Sequence, residues 1–134
     1  MKTELYFLLL TTILTGLLWV PVVIGKTKAR GPLTPERYAR DVDTPLPDWV
    51  NRANRAHLNA LENLPLFASV VLIGAAAGIS TPTTVWCANI YFLARLAHAI
   101  VHISGFGKFM ARTILFTIAW VAFFVYAIVL LLRA

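Results

Sequence analysis

The segment Leu5 to Ile24, LYFLLLTTILTGLLWVPVVI, carries no charged side chain. A helix of about 20 apolar residues rises about 30 Å at 1.5 Å per residue, enough to cross the hydrocarbon of a bilayer. The preceding Met1-Lys2-Thr3-Glu4 has the charged start of a signal peptide. The apolar stretch, however, is about twice a typical signal core, and no small-x-small cleavage site follows it. It therefore reads as an uncleaved membrane span. Backbone groups inside lipid must pair within the segment, and the sequence lacks the alternating strands of a barrel, so the span must be helical.

Three further apolar segments follow: about Leu58 to Ile79, about Thr84 to Ile103 and about Ile114 to Leu132. Together they predict an all-α fold, an integral membrane up-and-down four-helix bundle occupying residues 1–134 as one domain. Composition agrees: 59% of the 134 residues are hydrophobic, 13% are charged, and the mean hydropathy is +0.74. A soluble chain of this size has too little interior to hide that much apolar surface, and disorder is excluded. The single cysteine, Cys87, rules out an intrachain disulfide. It lies in Val85-Trp86-Cys87-Ala88 with no cation nearby in sequence to activate it, and reads as a small buried hydrophobe.

The connections differ. Gly25 to Asn54 is long and carries Pro32, Pro35, Pro45 and Pro47. Within it Thr34-Pro35-Glu36 reads as an N-cap followed by proline at the first helical position, and Asp48 as the N-cap of the second span. Ser80 to Thr83 is a tight turn, and Ser104 to Ala111 is short and basic. A net charge of +6 and a pI near 10.0 would suit a nucleic-acid binder on composition alone. The charges are distributed otherwise. Lys26, Lys28, Arg30, Arg37, Arg40, Arg52 and Arg55 cluster around the first loop, and Lys108 and Arg112 around the third, whereas the opposite side holds Lys2 and Arg133. The positive-inside rule then places both basic loops in the cytoplasm and both termini outside it, which accounts for the charge without nucleic acid.

The informative residues are polar ones at membrane depth. Arg52, Arg55, Asn59 and Glu62 recur at steps of three, four and three on the second span; Arg95, His98 and His102 recur at steps of three and four on the third. Each set shares a helix face, and ionisable groups in lipid are costly unless paired or facing a wet cavity. The two stripes should therefore face each other, with Glu62 and Arg95 as a buried ion pair. His98 and His102 read either as core histidines or as pocket lining, and as a metal site they lack a third ligand. Arg112 reads either as an interfacial anchor or as a binder of an anion or thiolate. Such an electropositive pocket suits a small polyanionic ligand meeting a lipophilic partner.

The run Arg55-Ala56-His57-Leu58-Asn59-Ala60-Leu61-Glu62-Asn63-Leu64-Pro65-Leu66-Phe67 resembles the second-helix signature of the MAPEG family, membrane-associated proteins in eicosanoid and glutathione metabolism. Ala94-Arg95-Leu96, His98 and later Arg112 resemble that family's third-helix pattern and the basic start of its fourth helix. The resemblance implies a homotrimer in the bilayer, with glutathione bound as co-substrate at three inter-subunit sites, and transferase or peroxidase-like chemistry on lipophilic small molecules. Carried over, Arg55, Asn59 and Glu62 would hold the tripeptide's charged groups, Arg95 would support Glu62, His98 and His102 would line the pocket, and Arg112 would stabilise the thiolate. His102 and Phe116 depart from the pattern, since glutathione-using members tend to carry tyrosine there. A bacterial inner membrane or its equivalent is the expected location. Two rivals are a catalytically silent interaction protein of the same fold and a small proton-coupled exporter, a class that commonly places its essential carboxylate within the first span.

Overall fold

The computed structural model describes residues 1–39 and 44–134. Arg40, one of the first-loop cations, lies outside the described residues. Six α-helices and no strand occur among them: α1 (Thr3–Leu17), α2 (Trp19–Arg30), α3 (Pro35–Ala39), α4 (Asp48–Ala76), α5 (Pro82–Ser104) and α6 (Ala111–Arg133). Among the described residues, four helical rods are long and apolar enough to cross a membrane: Thr3–Arg30, Asp48–Ala76, Pro82–Ser104 and Lys108–Arg133. The expected four-helix bundle is therefore the observed architecture.

Local chemistry sets the boundaries. α1 and α2 form one rod interrupted at Leu18, where Pro21 can give no N–H to the carbonyl of Leu17. α4 starts at Asp48, but its N-cap is Pro47 and no side chain caps it; Asp48 is thus the first helical residue, where its charge suits the positive end of the helix dipole. Pro65 is accommodated inside α4 without ending it. The helix closes at Ala76, two residues before Gly78 takes a left-handed φ of 70°, earlier than the apolar run to Ile79 suggests. The α4–α5 turn then ends in a capping box: Thr81 Oγ1 accepts from Thr84 N–H at 3.1 Å and Thr84 Oγ1 accepts from Thr81 N–H at 2.8 Å.

The core lies between α1, α4, α5 and α6, around Phe67, Val71, Tyr91, Ala119 and Tyr126. Close approach uses small residues. A Cβ on Gly74 would lie 3.2 Å from both Leu130 and the Tyr126 phenol, so the first glycine of Gly74-Ala75-Ala76-Ala77-Gly78 serves packing of α4 on α6 within the chain. A Cβ on Gly25 would come within 2.9 Å of the Trp49 ring and press on Val50, which fixes α2 against the start of α4. Outside the core, Leu72, Ile73, Trp86, Ile100, Trp120 and Leu131 are all exposed, as a bilayer-facing surface requires.

Candidate functional site

α4 and α5 run antiparallel along a polar seam. Arg52 Nε donates to the carbonyl of Ile103 at 3.1 Å, Arg95 Nη2 donates to Asn59 Oδ1 at 2.6 Å, and Tyr91 O–H donates to the carbonyl of Asn63 at 3.3 Å. Phe67 stacks on Tyr91 beyond them, with ring centroids 3.9 Å apart and planes at 11°. The facing of the two stripes is thus as the sequence suggests, but their pairing differs. Arg95 is buried at 5% exposure with an amide as its side-chain partner, while Glu62 is exposed. The expected Glu62–Arg95 ion pair is absent.

Helix geometry explains the correction. At about 100° per residue, Arg52, Asn59 and Asn63 fall within about 40° of one another, whereas Arg55 and Glu62 sit roughly 60–80° round from Arg52. Steps of three and four keep residues on one side of a helix, but they divide that side into a seam and a shoulder. Asn59 occupies the seam and takes the guanidinium; Arg55 and Glu62, both exposed, share the shoulder. Arg52 caps α5: its guanidinium holds the Ile103 carbonyl and packs where a Cβ on Gly105 would lie 3.0 Å away. A cation there complements the negative end of the helix.

Adjoining the seam, a shallow open cleft of about 360 Å³ is lined by Asn59, His98, His102, Arg112, Thr113 and Phe116. The His98 and His102 rings meet edge to face at 5.4 Å, and Phe116 lies 6.4 Å from His98. His98 is 4% exposed, so it is both a core histidine and a wall of the cleft. His102 buries Nδ1 without a hydrogen-bond partner. The guanidiniums of Arg112, Arg55, Arg52 and Arg95 all lie in electrostatic range of His102. A second polar cleft of about 370 Å³, formed by Asp48, Asn51, Arg52, Asn54 and Arg55, occupies the start of α4.

The connection that delivers Arg112 is unusual. Gly105 closes α5 at φ 77°, and Phe109 and Met110 both hold left-handed φ values, 59° and 52°, although neither is glycine. Side chains with a Cβ adopt that region at a cost, and such residues gather at functional sites. The turn Lys108–Met110 carries the chain directly into α6, leaving Arg112 exposed in its first turn. The positive end of the helix dipole and the guanidinium thus point toward the same anion-attracting region. Thr113 was not singled out in the sequence. Its neighbour Phe116 is one helical turn from Arg112, and that four-residue spacing was the available signal.

The MAPEG family model matches residues 4–132, which includes every residue of this cleft. The chain belongs to the MAPEG family. No curated protein matches it. The match runs through all four rods that are long and apolar enough to cross a membrane, and takes in the seam, the cleft and the strained connection.

Proposed function

We propose that this MAPEG protein is a glutathione-dependent enzyme of the membrane, transferring the tripeptide to lipophilic electrophiles or reducing them, at sites completed between the subunits of a homotrimer. The four guanidiniums in electrostatic range of His102, of which Arg112 lines the cleft together with Phe116, carry the reading. None of the cleft's lining residues is acidic, so it favours an anion over a cation, and its aromatic wall suits an apolar co-reactant entering from lipid. Glutathione brings two carboxylates, and a guanidinium holds a carboxylate by charge-assisted hydrogen bonds.

Arg112 is the proposed catalytic group. A free thiol with a pKa of about 8.5 is mostly protonated at neutral pH, and a guanidinium beside the sulfur favours the thiolate. The thiol proton passes to solvent. The thiolate lone pair then forms the new S–C bond as the leaving group departs with its bonding electrons. Asn59, His98 and His102 position the ligand in the cleft, and Arg95 supports Asn59. Arg55 and Glu62, exposed on the α4 shoulder, would meet the ligand where a neighbouring copy closes the cleft. The basic loops would face the cytoplasm, in a bacterial inner membrane or its equivalent, with both termini on the other side.

Full-length protein in detergent tests the reading. Glutathione is expected to raise the melting temperature and to add thiolate absorbance in the ultraviolet, and the particle mass is expected to be that of three chains. Neither a thermal shift nor thiolate absorbance would leave a MAPEG fold without thiol chemistry and end the enzyme reading.

A further inference from the structure

The connection from α5 to α6, Gly105-Phe106-Gly107-Lys108-Phe109-Met110, is apolar, basic and exposed along its whole length. Phe109 is 84% exposed, Met110 69% and Phe106 45%, and Lys108 stands exposed between them. The backbone holds Phe109 and Met110 at left-handed φ although both carry a Cβ. Residues in that region persist where their surroundings hold them there. Within the chain little does so. The main-chain bond across the turn runs from Ala111 N–H to the Lys108 carbonyl, and the described residues leave both side chains uncovered. What covers them comes from outside the chain.

Neighbouring contacts fix the level of this turn along the bundle. The Arg52 guanidinium holds the Ile103 carbonyl and lies against Gly105, so the turn stands beside the first turns of α4. Trp49, 37% exposed, is in the same region of α4 and lies against Gly25 of α2, and Lys26, Lys28 and Arg30 follow on that helix. Aromatic and basic side chains thus share one end of the bundle, the composition of a membrane interface. α6 begins at Ala111 and its apolar run at Ile114, about 4.5 Å further along the axis at 1.5 Å per residue. The headgroup layer on each side of the hydrocarbon is about 5–8 Å deep, and the turn falls within it.

Lipid or a second copy of the chain could cover such a turn, and Lys108 decides between them. The core of a protein interface is depleted in lysine. At a membrane surface, lysine meets anionic headgroups while aromatic and long apolar side chains enter the boundary with the acyl chains. We propose that Phe106 to Met110 is a lipid-binding wedge. Phe106, Phe109 and Met110 enter the leaflet on the side of the basic loops, and Lys108 pairs with the phosphate of an anionic phospholipid. The wedge holds the edge of the cleft at Arg112 and Thr113, which follow directly in α6, at headgroup depth. It does not depend on what the cleft binds.

Photochemical labelling of the full-length protein in vesicles tests the wedge. Phe109 is replaced by the photoreactive benzoylphenylalanine, a change that its exposure lets the fold accept, and the vesicles hold equal amounts of phosphatidylcholine and phosphatidylglycerol. Illumination is expected to attach phospholipid to the chain, with phosphatidylglycerol in excess. Lys108→Gln should lower that excess about fivefold, the contribution of one lysine near an anionic surface. Spin-labelled lipids give the same comparison between the wild-type chain and Lys108→Gln without the photoreactive residue. An adduct between two copies would assign the turn to a subunit interface, and chains free of any adduct would place it in water; either result overturns the wedge. A headgroup preference unmoved by Lys108→Gln also overturns it, because the charge would then come from other cations at that end of the bundle.

Discussion

The two ends of the bundle treat buried polar groups in opposite ways. At the Glu4 end, a carboxyl is enclosed by hydroxyls from the turn and from α5, and Thr84 is fully buried. At the Arg112 end, four guanidiniums lie in electrostatic range of one imidazole, and the cleft that it and Arg112 line is shallow and open. A closed polar cluster holds helices together; an open, uncompensated one is poised for something that arrives. Stability should therefore respond most to changes at the first end and in the seam, and activity to changes at the second.

The largest expected effect tests the open end. Arg112→Ala should lower glutathione-dependent turnover by about 10²–10³-fold, the usual consequence of removing one electrostatic stabiliser of a developing anion, with the melting temperature little changed because Arg112 is exposed. Unaltered turnover would remove Arg112 from the chemistry.

Next comes the seam between the ends. Asn59→Leu leaves the Arg95 guanidinium buried without its 2.6 Å acceptor and should destabilise the fold by about 3 kcal/mol, read from chemical or thermal denaturation. Arg95 with Asn59 was only half legible. The residues at membrane depth, and the fact that the two stripes meet, follow from spacing and from the cost of charge in lipid. The choice of partner does not, because residues three and four apart share a side of the helix while only some of them reach the seam. A carboxylate seven residues from Arg55 looks like the natural counterion on paper; a rotation of about 60–80° from Arg52 puts both on the shoulder. The spans were readable from hydropathy alone. The closure of α4 before Ile79 was not, since apolarity does not report where a backbone must turn and Gly78 supplies the left-handed φ that ends it.

A smaller effect compares the ends directly. Thr84→Val removes a fully buried hydroxyl that contacts Thr81 N–H, the Thr81 carbonyl and Glu4, and should cost about 2 kcal/mol. Thr113→Val, the same change on the exposed wall of the cleft, should leave the melting temperature near that of the wild type. Equal losses would mean that the open end also stabilises the fold through its hydroxyls.

The smallest effect is the most discriminating about pairing. If Glu62 were the counterion of Arg95, Glu62→Ala would strand a buried charge and cost about 3–5 kcal/mol. With Glu62 exposed on the shoulder and Arg95 held by Asn59, the change should fall within about 0.5 kcal/mol, as surface substitutions do. Glutathione affinity, in contrast, should weaken if Glu62 contacts the ligand where a neighbouring copy closes the cleft. The double variant Asn59→Leu with Glu62→Ala sharpens the point. Independent sites add, whereas two groups sharing one guanidinium show a coupling of about 0.5–3 kcal/mol. Additivity within about 0.5 kcal/mol is expected, and a larger coupling would return Glu62 to the seam.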